Sequence, residues 1–578
     1  WDITAKLNLL PLLSDNLSST HSLTTQITLA QQINDNTYYW FIPSTATTEI
    51  NNGRKGEASQ SYSKDRQESL EWLVNYGLKT NRHNLNFMGG YSYQYWMSNG
   101  LSADNKDFSS DVFLYNNLGN GTYNLEEGRN GMSSYRNDSK LIAFFGRITY
   151  DYLSRYLMTF SLRYEGSSKF GNNNKWGTFP AASLGWRMSE EAFMKDIAWI
   201  DDFKLRGDIG VTGNQNFGSY NSLATYKGFG YANYNGVYYQ VWGPDKNVNP
   251  DLKWEKGINW NVGLDFTLFN RRLSGTVNYY HRKQQDLLGN YTVPVPPYLF
   301  STTFVNVGTM RNTGVEIELN INAVKTKDFS YSIGFVGATN NNKFVRFSND
   351  TYNGNPYWDT CNMPSPNNPG YLQRISEGER IGNFRTYRYA GVDDKGDWLV
   401  WSKENERIPI SEATENDKCI TGNGLPKFTA SLTNTFNYKN WDMTLYFRGA
   451  FGFDIFNVHE MYYGLQSSSK IANVLPVAYG DNKLITTGVN VLTDYFIEKG
   501  DYMKLDVMTI GYTWNIDKKF LRKVRLYATG NNLFTITKYS GVDPSVFATN
   551  GLTPGTIGGS KNYYPSTRQI LFGVQVDF

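Results

Sequence analysis

The sequence has no apolar run that approaches the roughly eighteen residues of a membrane-crossing helix; its densest stretches, such as Leu141 to Phe145, are far shorter, which excludes helical membrane spanning. It has only two cysteines, Cys361 and Cys419, both in one long polar segment. That excludes a disulfide-stapled scaffold and leaves open a single loop disulfide in an oxidising compartment. The four histidines, His21, His83, His281 and His459, fall at no metal-ligand spacing, and His459-Glu460 lacks the second histidine of a zinc-protease helix. Each reads as an ordinary polar residue. Charge of one sign is scarce as well: a net charge of +3 over 578 residues, with no basic cluster, gives no reason to expect a nucleic-acid partner. Residue 1 is Trp rather than Met, so the chain is expected to be processed or a fragment.

Aromatic residues, in contrast, are abundant. They make up 16% of the chain, with 42 Tyr and 15 Trp, while mean hydropathy is polar at −0.51. A soluble core of this size would be richer in Leu, Ile and Val than in Tyr and Asn; the mixture suits a wall that is apolar on one face and wet on the other.

The clearest period is at the end of the chain, where Ile570, Phe572, Val574, Val576 and Phe578 alternate with Leu571, Gly573, Gln575 and Asp577. The same alternation recurs from Ile258 to Leu268 against Asn259, Asn261, Gly263, Asp265 and Thr267, and from Val315 to Ile321 against Glu316, Glu318, Asn320 and Asn322. Ile142 to Tyr152 and Tyr156 to Tyr164 repeat it, with Tyr at the turn-proximal ends as in an interfacial aromatic girdle. A soluble sandwich would hide such apolar faces, whereas a barrel shows them to lipid and turns the polar set into a watery lumen. Tight links at Asn81–Asn84, Leu153–Arg155, Asn270–Arg272, Lys325–Asp328 and Lys439–Asn440 alternate with long polar stretches at 108–138, 217–252, 349–425 and 457–493. Short periplasmic turns and long extracellular loops are the rule for outer-membrane barrels. The fold class is therefore all-β, a transmembrane antiparallel β-barrel of about seventeen strands by this alternation. An odd set of antiparallel strands does not close on itself, so the remaining strands are expected from residues outside this chain. One link, Ser189 to Asp202, reads as a short helix with Ser189 as N-cap.

The wording of several strands resembles the SusC/RagA family of TonB-dependent outer-membrane transporters of Bacteroidetes. The matching segments include Arg163–Gly171, Trp176–Arg187, Phe203–Gln215, Asn249–Glu255 and Met310–Glu318, then Pro426–Leu432, Gly500–Asp506, Tyr527–Phe534 and Tyr564–Arg568, in family order. The resemblance implies a barrel of about twenty-two strands around a plug. Residues 1–578 would then be a partial barrel domain beginning near the sixth strand, with the plug, the TonB box and the first strands absent. It further implies TonB-driven import, a SusD-like surface lipoprotein as lid, coupling to the TonB complex through the missing N-terminal part, and a dimer of transporter–lipoprotein pairs in outer-membrane lipid.

No catalytic, metal or cofactor set emerges. Gly228-Phe-Gly230 lacks the third glycine and the strand-to-helix setting of a nucleotide loop. Asp393-Asp-Lys-Gly-Asp397 lacks EF-hand spacing and reads as a turn. Glu316 and Glu318 merely share a strand face. Aromatic residues in the long loops are the candidate ligand or partner contacts: Tyr226, Phe229, Tyr231, Tyr234, Tyr238, Tyr239 and Trp242 in one stretch, Tyr352, Tyr357 and Trp358 in another. Flat rings beside amides stack on sugar faces, and they clasp peptides equally well. The expected function is import of oligosaccharides, with peptide import by the same mechanism or a passive porin as alternatives; an outer-membrane enzyme lacks any nucleophile with a positioned base.

Overall fold

The computed structural model describes the chain apart from residues 11–19, 126–128, 349–355, 366–368, 471, 482, 488–489, 519, 547–550 and 557–563. Tyr352 lies outside the described residues. Two units are distinguished by their internal packing: one comprises Trp1–Ser183, Gly210–Lys256 and Leu288–Asn306, the other Leu184–Ile209, Gly257–Leu287 and Val307–Phe578.

In the first unit six strands, Asp2–Asn8, His21–Ile42, Glu57–Lys79, His83–Lys106, Met132–Tyr152 and Tyr156–Ser167, pair antiparallel in chain order. Their alternation is physical: Tyr156, Met158, Phe160, Leu162 and Tyr164 are all exposed, while Arg163 and Glu165 on the opposite face form an ion pair at 2.8 Å. Leaving a side chain such as Phe160 or Leu162 in water instead of hydrocarbon costs about 1.5–3 kcal/mol. A continuous row of them is therefore a lipid-facing surface. The link between the last two strands is tight because Leu153 and Ser154 both take left-handed φ, 56° and 55°, with Asp151 Oδ1 accepting the Ser154 N–H at 2.7 Å. Beside it the rings of His83, Tyr150, Tyr152 and Tyr156 cluster at 5.1–6.4 Å, the amphipathic belt expected at a membrane–water boundary. Glu57–Lys79 and His83–Lys106 run 23 and 24 residues. Even tilted, such strands outrun a hydrocarbon layer of roughly 30 Å, and they project beyond it on the long-loop side.

In the second unit the order is Leu273–Gln285, Thr309–Lys325, Phe329–Thr339, Phe428–Tyr438, Trp441–Phe451, Tyr502–Lys518, Leu521–Thr537 and Gln569–Asp577, again antiparallel neighbours in sequence. Asn341–Arg346 pairs with the same strand as Phe329–Thr339, so the two are halves of one strand interrupted at Asn340. Trp176–Arg187, Ile200–Asn214 and Glu255–Leu268 are three further strands of the chain. Among the described residues the main sheet has eighteen strand segments, seventeen strands once Phe329–Thr339 and Asn341–Arg346 are taken as one, in line with the about seventeen that the alternation predicts. Tight links recur at Phe269–Arg271, all at positive φ, and at Lys439, φ 51°. Trp441, Tyr512 and Trp514 form an aromatic belt next to the second of these.

One local expectation is corrected and one open question is answered. Ser189 caps no helix: its Oγ donates to Asp202 Oδ1 at 2.9 Å, and the single helical turn Ala192–Lys195 begins after Glu191 without a side-chain cap. The loop disulfide that the sequence leaves open is not formed: Cys361 and Cys419 are not bonded to each other. They sit on the two outer strands of a four-stranded loop sheet, Tyr357–Asn362, Tyr371–Ser376, Asn383–Thr386 and Cys419–Asn423. Three strand spacings of about 4.8 Å separate such positions, twice the reach of a disulfide. That loop sheet is part of a core of its own, in which Met363, Leu372, Phe384, Trp398, Phe456, Met461 and Phe496 are buried.

Candidate functional site

The long link between Ile200–Asn214 and Glu255–Leu268 carries a two-stranded hairpin, Tyr226–Tyr234 with Val237–Pro244. Its base is fixed by the Asp245 N–H donating to the Thr225 carbonyl at 3.1 Å. The tip bends at Asn235 and Gly236, both at positive φ, where the Gly236 N–H reaches Asn233 Oδ1 at 3.0 Å. Register decides which side chains share a face. Tyr238 opposes Asn233, Gln240 opposes Tyr231, Trp242 opposes Gly228 and Pro244 opposes Tyr226. A bulge places Phe229 and Gly230 against Val241 alone, and Gly230 supplies the φ of 109° that accommodates it.

Of the aromatic residues singled out in this stretch, Tyr226, Tyr231, Tyr238 and Trp242 therefore stand on one face with Asn233 and Gln240 between them. Phe229, Tyr234 and Tyr239 stand on the other with Val237 and Val241. Every one of these rings is exposed, Tyr231 at 70% and Trp242 at 62%. The first face is aromatic and amide-bearing without a charge; the second is aliphatic and aromatic, edged by Lys227, whose ammonium lies 5.3 Å from the Phe229 ring.

In the second unit, Tyr357 and Trp358 begin an outer strand of the loop sheet. The Arg374 guanidinium covers the Tyr357 ring at 3.7 Å and is itself held by Asp359 through two hydrogen bonds of 2.6 and 2.9 Å. Asp359 and then Tyr357 hold Arg374 above its ordinary basicity, against the opposing effect of burial. Trp358 is open to solvent at 52%. The Asp393–Asp397 segment is the turn expected: Asp393 Oδ1 accepts the N–H groups of Lys395 and Asp397 at 2.9 and 2.8 Å, and the Asp397 N–H foremost keeps this carboxyl below its usual range. Among the described residues no three His, Cys, Asp or Glu side chains are grouped to hold a metal ion.

The inward face of the first unit holds a feature that strand-by-strand reading does not show. A cavity of about 800 Å³ is lined by Gln32, Asp65, Trp96, Asn137, Lys169 and the segment 213–219, among others. Its walls come from five strands and two loops, so no local motif announces it; only tertiary pairing brings the side chains together. Elsewhere the inward faces neutralise themselves. Arg206 meets Asp265 at 3.1 Å, Arg448 meets Asp506 at 2.7 Å, and Arg525 meets Asp442 at 2.5 Å.

The TonB dependent receptor-like, beta-barrel family matches residues 4–533. TonB-dependent receptor P3 of Formosa agariphila is 31% identical over 91% of this chain and 54% of its own length. TonB-dependent receptor SusC of Bacteroides thetaiotaomicron is 31% identical over 77% of this chain and 44% of its own. This chain thus spans about half the length of the curated relatives it matches. The structure of the RagAB peptide transporter follows its whole length at a TM-score of 0.79 and 21% identity, over 61% of that chain, which establishes a common fold. Strand order, lipid-facing rows and family match agree: the chain is an outer-membrane β-barrel chain belonging to the TonB-dependent receptor family, of the SusC/RagA type, a family of receptors rather than enzymes.

Proposed function

We propose that this chain is the conduit of a TonB-dependent importer of oligosaccharides, capped outside by a SusD-like surface lipoprotein and driven through an upstream plug that couples to the TonB complex. The observation that carries the substrate class is the uncharged face of the Tyr226–Pro244 hairpin, where Tyr226, Tyr231, Tyr238 and Trp242 flank Asn233 and Gln240. Neutral sugars offer apolar C–H faces to rings and hydroxyls to amides. Peptide ligands bring charged termini and side chains, which this face has nothing to pair with. The opposite face, with Phe229, Tyr234, Tyr239 and two valines, fits the larger and less polar surface of a protein lid. Pairs of conduit and lid joining as a dimer are part of the same reading.

The test is uptake by cells carrying the full-length gene with its lipoprotein partner. Labelled neutral oligosaccharides are expected to accumulate only when TonB is functional. Replacing Tyr231, Tyr238 and Trp242 together by Ala is expected to cut uptake at limiting substrate at least ten-fold. Peptides, the cargo named for RagAB, are the alternative: peptide uptake without sugar uptake overturns the substrate class, and uptake independent of TonB overturns the gated mechanism in favour of a passive pore.

A further inference from the structure

We infer that the inward cavity of the first unit is a sugar-binding subsite floored by Trp96, a second contact point distinct from the hairpin; the inference rests on the oligosaccharide reading above. The faces follow from register. Arg163 and Glu165 point away from the lipid-facing row, and Glu165 opposes Ala143, so the odd-numbered residues of Met132–Tyr152 share the inward side. Two adjacent rungs then cross four strands on that side. Gln32 opposes Gln67, which opposes Trp96, which opposes Ser139; one step further out, Asn34 opposes Asp65, which opposes Ser98, which opposes Asn137.

Both rungs line the cavity of about 800 Å³, a size that suits a short oligosaccharide. Its side wall is held in place. Lys169 Nζ donates to the Phe217 carbonyl at 2.8 Å, and the Phe217 ring packs on Phe170 and Phe304 at 5.3 and 5.2 Å. Burial lowers the basicity of Lys169. Trp96 itself is half-buried and packs against the core that contains Leu141 and Phe170.

What separates these rungs from an ordinary wet wall is that their polar groups are left free. Among the described residues, no side chain on either rung, the Trp96 indole N–H included, makes a hydrogen bond within the protein, whereas Arg163–Glu165 on the same face and the ion pairs of the second unit are mutually satisfied. Amides at Gln32, Gln67, Asn34 and Asn137 present donors and acceptors together, matching hydroxyls that are both. The Asp65 carboxylate accepts from a vicinal diol, and the indole offers a ring for a C–H face. Trp96 lies thirteen residues from the short-turn end at His83, about 43 Å along the strand. With barrel tilt that is near the outer edge of the hydrocarbon layer, where a ligand descending from the loops first meets the wall.

The experiment uses the full-length protein in detergent, titrated calorimetrically with neutral hexasaccharides of glucose, mannose, xylose and N-acetylglucosamine, with heat-modifiable gel migration to verify the folded barrel. For the hexasaccharide that wild type binds, Trp96→Ala is expected to weaken affinity about ten-fold and Asn34→Ala with Gln67→Ala a similar amount, while Trp96→Phe, which keeps a stacking ring, loses no more than about three-fold. Wild-type binding left unchanged by both the Trp96→Ala and the double amide variants, each folded, overturns the subsite and leaves the transport reading standing. A folded wild type that binds none of the four overturns the subsite and the oligosaccharide reading together.

Discussion

Lys504 is the most buried charged side chain described, at 2% exposure, and its ammonium meets Asp543 at 3.2 Å and Ser545 at 3.4 Å. The pair ties the loop after Leu521–Thr537 to the strand Tyr502–Lys518. Removing one partner strands the other charge out of water, a cost of about 3–5 kcal/mol. Lys504→Ala is therefore expected to lower the unfolding temperature and to speed hydrogen exchange around residues 538–546, and Lys504→Met with Asp543→Leu to recover most of the loss. Burial would raise the Asp543 carboxyl, but the Ser566 and Ser545 hydroxyls and then Lys504 outweigh it and hold it below the usual range. The stability it contributes is thus present at neutral pH and lost as pH falls through its folded value. Glu460 behaves oppositely: burial first, and then the nearby Glu498, raise its carboxyl. Its contribution is complete in acid and lost as pH rises through the folded value. Glu460→Gln is accordingly expected to be more stable than wild type at pH 8 and indistinguishable from it at pH 4, by thermal melts at the two pH values.

At the scale of elements, nearly every residue of the hairpin Tyr226–Pro244 is exposed, and its base is closed by the Asp245 N–H donating to the Thr225 carbonyl. Excising it and joining Thr225 to Asp245 through Gly-Ser-Gly is expected to leave heat-modifiable migration and melting temperature within about 2 °C of wild type while abolishing sugar uptake. A large fall in melting temperature would show that the rings pack for stability instead. Strands such as Tyr156–Ser167 were legible in the sequence because alternation is local, and so was the hairpin's aromatic richness. Its division into an amide-bearing face and an aliphatic face was not, since that depends on a bulge at Gly230 which no residue pattern displays. The loop core was hidden for a related reason. Met363 and Phe384 each lack an apolar neighbour in sequence, and the short apolar runs around Phe456 and Phe496 lie far from them along the chain, so only tertiary folding collects them. The rungs through Trp96 leave no local pattern for the same reason, because every neighbour in a rung belongs to a different strand.

For the whole molecule, Asp2–Asn8 pairs with His21–Ile42 and Gln569–Asp577 with Leu521–Thr537, and all but two residues of these two strands are exposed. An unpaired sheet edge at membrane depth leaves backbone groups unsatisfied. Under the proposed reading, in which further strands complete the barrel, residues 1–578 refolded alone in detergent are expected to aggregate or migrate without heat modifiability, whereas the full-length protein is expected to be monodisperse and heat-modifiable; a stable monomer from 1–578 alone would refute this. The two thiols carry a practical consequence for following such a protein at work. Cys361 is buried with its Sγ 3.3 Å from the Thr556 hydroxyl, while Cys419 is exposed on the far strand of the same loop sheet. A membrane-impermeant maleimide dye added to living cells therefore has one native attachment point within these residues. It would give a fluorescent reporter on the outer surface without any engineered cysteine.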